Sequence, residues 1–165
     1  MRRLCWKMAL IGALLMPGEA GAQAPDSAEV SVWREALRNA DTEQGSEAYL
    51  DVVDRDSDHP LAVAFRASAE LISVGYKGNP FSKLRRFRAW SKELDRQVEA
   101  DSLNPEIRFL RMTVKDQAPR ILAYRSGVVS DCVAVRRGLE QGYWRSDPVH
   151  RRFVQSVLEA TQSCP

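Results

Sequence analysis

Three helix starts that share a two-residue signal constrain this chain more than any other feature. They are Asn79-Pro80, Asn104-Pro105 and Asp147-Pro148. An Asn or Asp side chain accepts a hydrogen bond from a free backbone N–H of the first helical turn, and proline is tolerated at the first helical position because it has no N–H to lose. Apolar residues at helical spacing follow each pair, without alternating β-branched runs and hairpin turns. The sequence therefore predicts an all-α fold.

The spacing predicts six or seven helices in stacked antiparallel hairpins. They cover about residues 28–39, 44–55, 60–75, 80–100, 105–116, 127–140 and 148–162, with a short connector around Pro119. A length of 165 residues fits one domain, which we assign to residues 23–165. In the first helix, Val32 and Ala36 are predicted to point inward, with Val30 and Trp33 as further candidates. In the helix over 80–100, one apolar stripe is predicted to face the core: Phe81, Leu84, Phe87, Trp90, Leu94 and Val98.

The first 22 residues have the pattern of a secretory signal peptide. Basic residues precede an apolar run and then a group of small residues: Arg2, Arg3 and Lys7, residues 8–16, and Ala20-Gly21-Ala22. A spanning helix needs about 20 apolar residues, so this run is too short to remain as a membrane span. We expect cleavage after Ala22 and a periplasmic or secreted bacterial protein. The alternative is an N-terminal helix that is retained.

Charge argues against nucleic acid as a partner. Removal of residues 1–22 leaves 21 basic and 21 acidic residues, so the processed chain is neutral. Residues 26–58 carry ten acids and three bases, whereas the rest of the chain is mildly basic. This distribution indicates either pairing between the two regions or a polarised surface that orients a partner.

The segment LDRQVEADSLNPEIR, residues 94–108, resembles the second helix of a tetratricopeptide repeat and its connection to the next repeat. The matching positions are Val98, Asp101, Asn104, Pro105 and Glu106. The segments NPFSKL and NPEIRFLR, together with the connector from Pro119 to Tyr124, are also similar to a group of uncharacterised secreted bacterial proteins, a likeness that covers about residues 60–125. These resemblances imply a TPR-like array of helical hairpins, a type of fold that commonly binds partners, but they supply no functional residues.

One row of cations stands out in a helix that is otherwise apolar nearly all round. Arg108, Arg111 and Lys115 share a narrow sector, and Arg120 and Tyr124 follow in the connector. We predict that these five residues bind a ligand, because guanidinium groups recognise carboxylates and phosphates. The alternative is that the arginines pair internally with the acidic N-terminal helices. A second cationic row runs along the preceding helix: Arg85, Arg88, Lys92 and Arg96.

After cleavage the chain keeps two cysteines, Cys132 and Cys164. In an oxidising compartment we expect them to form a disulfide, with two buried free thiols as the alternative. A symmetric hairpin would place Cys132 opposite residue 156, so a staggered packing or a bent chain end is needed to bring the sulfur atoms together.

Catalytic and metal signatures are missing from the sequence. It has no G-x-S-x-G, H-E-x-x-H or P-loop motif, and neither His59 nor His150 has a metal-ligating residue three or four positions later. We therefore predict no catalytic residue, metal or cofactor. The function predicted first is an exported, non-enzymatic binding or scaffold protein for a peptide or protein partner, possibly acidic. The alternatives are a binder of anionic envelope glycans or lipid head groups, and an enzyme of unrecognised type.

Overall fold

The computed structural model describes residues 23–53 and 56–164 and contains seven α-helices in that part of the chain. They are α1 (Ser27–Arg38), α2 (Glu43–Val52), α3 (Pro60–Tyr76), α4 (Pro80–Ala100), α5 (Pro105–Gln117), α6 (Val128–Glu140) and α7 (Pro148–Ala160), with a 3₁₀ turn at Arg120–Leu122. The described residues include no strand, so the prediction of an all-α fold is confirmed. The expected signal peptide, residues 1–22, lies outside the described residues.

The three Asn-Pro and Asp-Pro helix starts are confirmed. The side chain of Asn79 accepts a hydrogen bond from the backbone N–H of Ser82, and Asn104 accepts one from Glu106. Asp147 accepts a hydrogen bond from the N–H of His150. These caps satisfy backbone donors that the helices themselves leave free, which fixes where α4, α5 and α7 begin.

Helices α3 and α5 form the centre of the structure. Helix α3 packs against α2, α4 and α5, and α5 also packs against α4 and α6. Small buried residues on α3 let its neighbours approach closely: Ala62, Ala64, Ala67 and Ala69. Helix α1 contacts both α2 and α7, so the first and last helices meet. Among the described residues, no helix has the length and apolar character needed to cross a bilayer.

Helix α4 extends beyond the core, which corrects one prediction. Its buried residues all lie in its second half: Ser91, Leu94, Gln97 and Val98. Phe81, predicted to face the core, is 87% exposed, and Leu84 is only half-buried. The first turns of α4 lie beside the last turns of α3, where Lys83 donates to the carbonyl of Gly75 and Arg86 donates to Glu70, and this end of the hairpin lies outside the buried core. Val32 of α1, also predicted to point inward, is 49% exposed.

The predicted disulfide between Cys132 and Cys164 is confirmed, with a Cα–Cα distance of 5.6 Å. Helix α7 ends at Ala160, and Thr161 adopts an extended conformation. The chain then turns, and the N–H of Cys164 donates to the carbonyl of Thr161. This bend after α7 brings Cys164 to α6, so the bridge does not require the geometry of a symmetric hairpin.

Candidate functional site

The predicted cations of α5 surround one buried carboxylate, that of Asp131 on α6. We call Arg108, Arg111 and Lys115 the α5 stripe. Arg108 donates to Asp131 Oδ1 over 2.8 Å, and Arg111 donates to both carboxylate oxygens over 2.6 and 2.9 Å. Lys115 Nζ lies 3.9 Å from Oδ2. The Asp131 side chain is fully buried, so these contacts are largely shielded from water.

Further contacts hold the outer side of the α5 stripe. Arg111 also pairs with Asp95 of α4 over 3.1 Å, and Lys115 donates to the carbonyl of Ser126 over 2.8 Å. The Lys115 ammonium lies 5.3 Å from the centroid of the Tyr124 ring, at a cation–π distance. The Tyr124 hydroxyl lies 3.2 Å from an oxygen of Asp95. The cluster thus joins α4, α5, α6 and the connector.

The electrostatics of the cluster follow from burial and from these neighbours. Burial alone would lower the pKa of Arg111, but Asp131 and Asp95 outweigh it and raise that pKa. The pKa of Lys115 is lowered by burial and by the positive charge of Arg111. Burial and the charge of Asp95 raise the pKa of Tyr124. The Arg111 guanidinium therefore stays protonated at neutral pH.

The structure brings four of the five predicted ligand-binding residues together: Arg108, Arg111, Lys115 and Tyr124. Arg120 is exposed on the 3₁₀ turn and takes no part in the described contacts of the cluster. The alternative of internal pairing holds for the α5 stripe, but its partners differ from those expected. Asp131 lies on α6 and Asp95 on α4, whereas the sequence pointed to the acidic N-terminal helices.

A close helix contact explains why Asp131 reaches α5. A Cβ atom added at Gly138 would lie 2.5 Å from the Cβ of Pro105, so only glycine allows α6 to approach the start of α5 this closely. Asp131 lies seven residues before Gly138, which is two helical turns and nearly the same face. The face of α6 that packs on α5 therefore presents Asp131 to the α5 stripe.

A second buried carboxylate, Glu106 at the start of α5, was not predicted as a site. Its Oε2 accepts hydrogen bonds from both Nε and Nη2 of Arg34, the former over 3.0 Å, and from Trp144 Nε1 over 2.6 Å. His150 Nε2 donates to Oε1 over 2.9 Å. Arg38 lies 3.3 Å from His150 Nδ1, and since a guanidinium can only donate, this nitrogen accepts and Nε2 carries the hydrogen.

The Glu106 cluster joins α1, α5, the turn before α7 and α7 itself. Burial would raise the pKa of Glu106, but the hydrogen bond from His150 and the charge of Arg34 outweigh it, so the pKa is lowered. Glu106, Trp144 and His150 are fully buried and Arg34 is 8% exposed, so the carboxylate is enclosed. One signal in the sequence pointed to this role: Glu106 is an acid in the first turn of a helix that is apolar nearly all round.

The second cationic row behaves differently. We call Arg85, Arg88 and Lys92 the α4 stripe. All three are exposed, and within the described residues none of their side chains has a hydrogen-bond or ion-pair partner. Other cations of α4 are engaged: Arg86 pairs with Glu70 over 2.7 Å, Arg96 pairs with Glu93 over 2.9 Å, and Lys83 donates to the carbonyl of Gly75 over 2.8 Å. Among the described basic residues of α4, those of the α4 stripe therefore have no side-chain partner within the domain.

A cavity of about 310 Å³ lies between α6 and α7. It is lined by Arg136, Leu139, Glu140, Arg151, Gln155, Leu158 and Glu159. Basic and acidic side chains both line it, so it has no preference for one sign of charge. In the described part of the chain, no three side chains of His, Cys, Asp or Glu converge as a metal site would require.

Comparison of the chain with known protein families, with curated proteins and with solved structures finds no match. The likeness to tetratricopeptide repeats stays a prediction. No role is transferred to any residue from a relative, and the chemistry of the site has to be argued from this chain.

Proposed function

We propose that this is an exported, non-enzymatic binding protein that takes an anionic partner on the α4 stripe. The observation that carries the proposal is the contrast between Arg85, Arg88 and Lys92 and the buried charges of the same domain. Glu106 and Asp131 are each surrounded by partners, whereas these three cations have none among the described residues. Charges left open on one helix face favour a partner of opposite sign.

The spacing of the α4 stripe suits an extended anion. At about 1.5 Å rise per residue, the three cations span roughly 10 Å along one face of the helix. Guanidinium groups recognise carboxylate and phosphate oxygens with paired hydrogen bonds, and lysine adds a point charge. Acidic protein segments and anionic head groups both offer such oxygens, so the proposal covers the two partner classes expected from the sequence.

Two features support export. Residues 1–22 have the pattern of a signal peptide, and the chain carries a disulfide, a bond that persists in oxidising compartments. Mass spectrometry of the protein recovered from the exported fraction tests this part. A mass that begins at Gln23 is expected, and an intact chain that stays in the cytoplasm would contradict it.

A charge reversal tests the binding site. We expect the exported protein to bind poly-L-glutamate or vesicles that contain phosphatidylglycerol at low salt, and Arg88→Glu to weaken that binding at least tenfold. Arg152→Glu, on the exposed surface of α7, is the matched control because it changes net charge equally. Calorimetric titration measures both. Equal loss in the two variants would mean that only net charge matters, and no binding to either probe would overturn the proposal.

A further inference from the structure

We infer that the α4 stripe and the α3–α4 tip dock onto an anionic lipid surface, with the Phe81 ring entering the head-group layer. By the α3–α4 tip we mean residues 75–81. This inference rests on the proposed function of the α4 stripe and names its partner. It comes from three observations: the open shape of the face, the position of Phe81 and the local distribution of charge.

The face has the shape of a row along one helix. Phe81, Arg85, Arg88 and Lys92 follow at spacings of four, three and four residues, which keeps them within about 60° of one another. All four are exposed, so no other helix of the described structure covers them. The cavity described above has no lining residue on α4. A planar surface can meet all four side chains of such a row at once.

The exposed ring at the end of the row adds an apolar contact. Phe81 is 87% exposed, and every residue from Gly75 to Phe81 is exposed. The α3–α4 tip is thus open to solvent, although Tyr76 donates to the carbonyl of Asp41 and Lys77 pairs with Glu47 of α2. A ring in this position loses contact with water when it enters the interface of a bilayer, where an apolar residue beside Lys and Arg is favourable. An acidic peptide gives no comparable reason for an aromatic residue at the end of a cationic row.

The first half of α4 carries positive charge that no acid of the same segment compensates. Residues 80–92 contain five basic residues and no acid. Acids on α3 and α4 are engaged elsewhere: Glu70 pairs with Arg86, Glu93 pairs with Arg96, and Asp95 pairs with Arg111 of the α5 stripe. Each basic residue near an anionic membrane strengthens binding by roughly fivefold, and the effects of the three residues of the α4 stripe multiply.

Co-flotation with lipid vesicles tests the inference. The protein is purified from the exported fraction, and all variants share one N-terminus that mass spectrometry verifies. We expect binding to vesicles of phosphatidylcholine mixed with phosphatidylglycerol, and little binding to phosphatidylcholine alone. Phe81→Ala should weaken binding roughly tenfold. Leu103→Ala is the matched control, because Leu103 is 88% exposed at the other end of α4 and should have no effect.

The outcomes separate this inference from the proposed function. Charge reversal by Arg88→Glu should lower vesicle binding by roughly 25-fold, since it removes one cation and adds one anion. Binding to poly-L-glutamate without binding to the vesicles overturns the lipid surface but leaves the anionic partner. Absence of both overturns the two together. Vesicle binding that Phe81→Ala leaves unchanged contradicts insertion of the ring.

Discussion

Two helices of this protein carry the same cationic pattern with opposite outcomes. Arg85, Arg88 and Lys92 on α4 repeat the spacing of Arg108, Arg111 and Lys115 on α5, with an offset of three and then of four positions. The α5 stripe lies on Asp131 and Asp95, and Lys115 is 7% exposed. The α4 stripe faces solvent. The difference arises from the position of each helix, because α5 lies between neighbours and the first half of α4 extends past the core.

A row of cations on a helix therefore does not by itself indicate a binding site. Such a row pairs internally when a neighbouring helix places a carboxylate beside it. Helix α6 does so for α5, because its close approach at Gly138 presents Asp131 to the α5 stripe. No described acid does so for the α4 stripe.

Removing the carboxylate that the α5 stripe shares should have the largest effect on stability. Asp131→Asn leaves three cations in a largely buried site without their central charge, and we expect a loss of about 3–5 kcal/mol in the free energy of unfolding. Urea denaturation followed by circular dichroism measures it. A loss below about 1 kcal/mol would mean that solvent screens the α5 stripe as it does the α4 stripe.

Glu106→Gln tests whether the buried carboxylate of α5 contributes as much to stability as Asp131 of α6. We expect a loss of about 3–5 kcal/mol at neutral pH. Because the folded-state pKa of Glu106 is lowered, its stabilisation is full above the unfolded value of about 4.3 and disappears as the pH falls through the folded value. The gap between wild type and Glu106→Gln should therefore close on acidification. A gap that widens below about pH 4 would contradict the assignment.

The sequence identified the elements but not the partners. The caps, the helix positions and the disulfide pair could be predicted because each depends on local spacing or on cysteine number. The pairing of Arg111 with Asp131 could not be predicted, because the two residues are twenty positions apart and only the packing of α6 against α5 brings them together. Phe81 was placed in the core because periodicity does not reveal how far the neighbouring helices extend.

Matched truncations on the two helices should separate packing from binding. Arg111→Ala removes hydrogen bonds to two carboxylates, and we expect a loss of about 1.5–3 kcal/mol in the free energy of unfolding. Arg88→Ala removes no described contact and should leave that free energy unchanged within error. Chemical denaturation of both variants measures this free energy. Similar losses in the two variants would contradict the difference between the buried α5 stripe and the exposed α4 stripe.

Salt should weaken binding at the α4 stripe while leaving the stability of the fold nearly unchanged. Raising sodium chloride from about 50 mM to about 500 mM shortens the screening length and should weaken binding at the α4 stripe at least tenfold. The buried pairs of the α5 stripe are screened far less, so the unfolding free energy should change little. Vesicle flotation and urea denaturation in the same buffers test both parts. Binding that salt leaves intact would contradict an electrostatic partner.

The most direct test compares Lys92 and Lys115 in one sample. Brief acylation of the folded protein with an amine-reactive ester, followed by peptide mass spectrometry, gives the modification rate of each lysine. Lys92 is exposed, whereas Lys115 is buried against Asp131, Ser126 and Tyr124. We predict that Lys92 reacts at least tenfold faster in the folded protein and that the two rates converge in urea with the disulfide reduced. Equal rates in the folded protein would contradict the burial of Lys115 in the α5 stripe and the exposure of Lys92 in the α4 stripe.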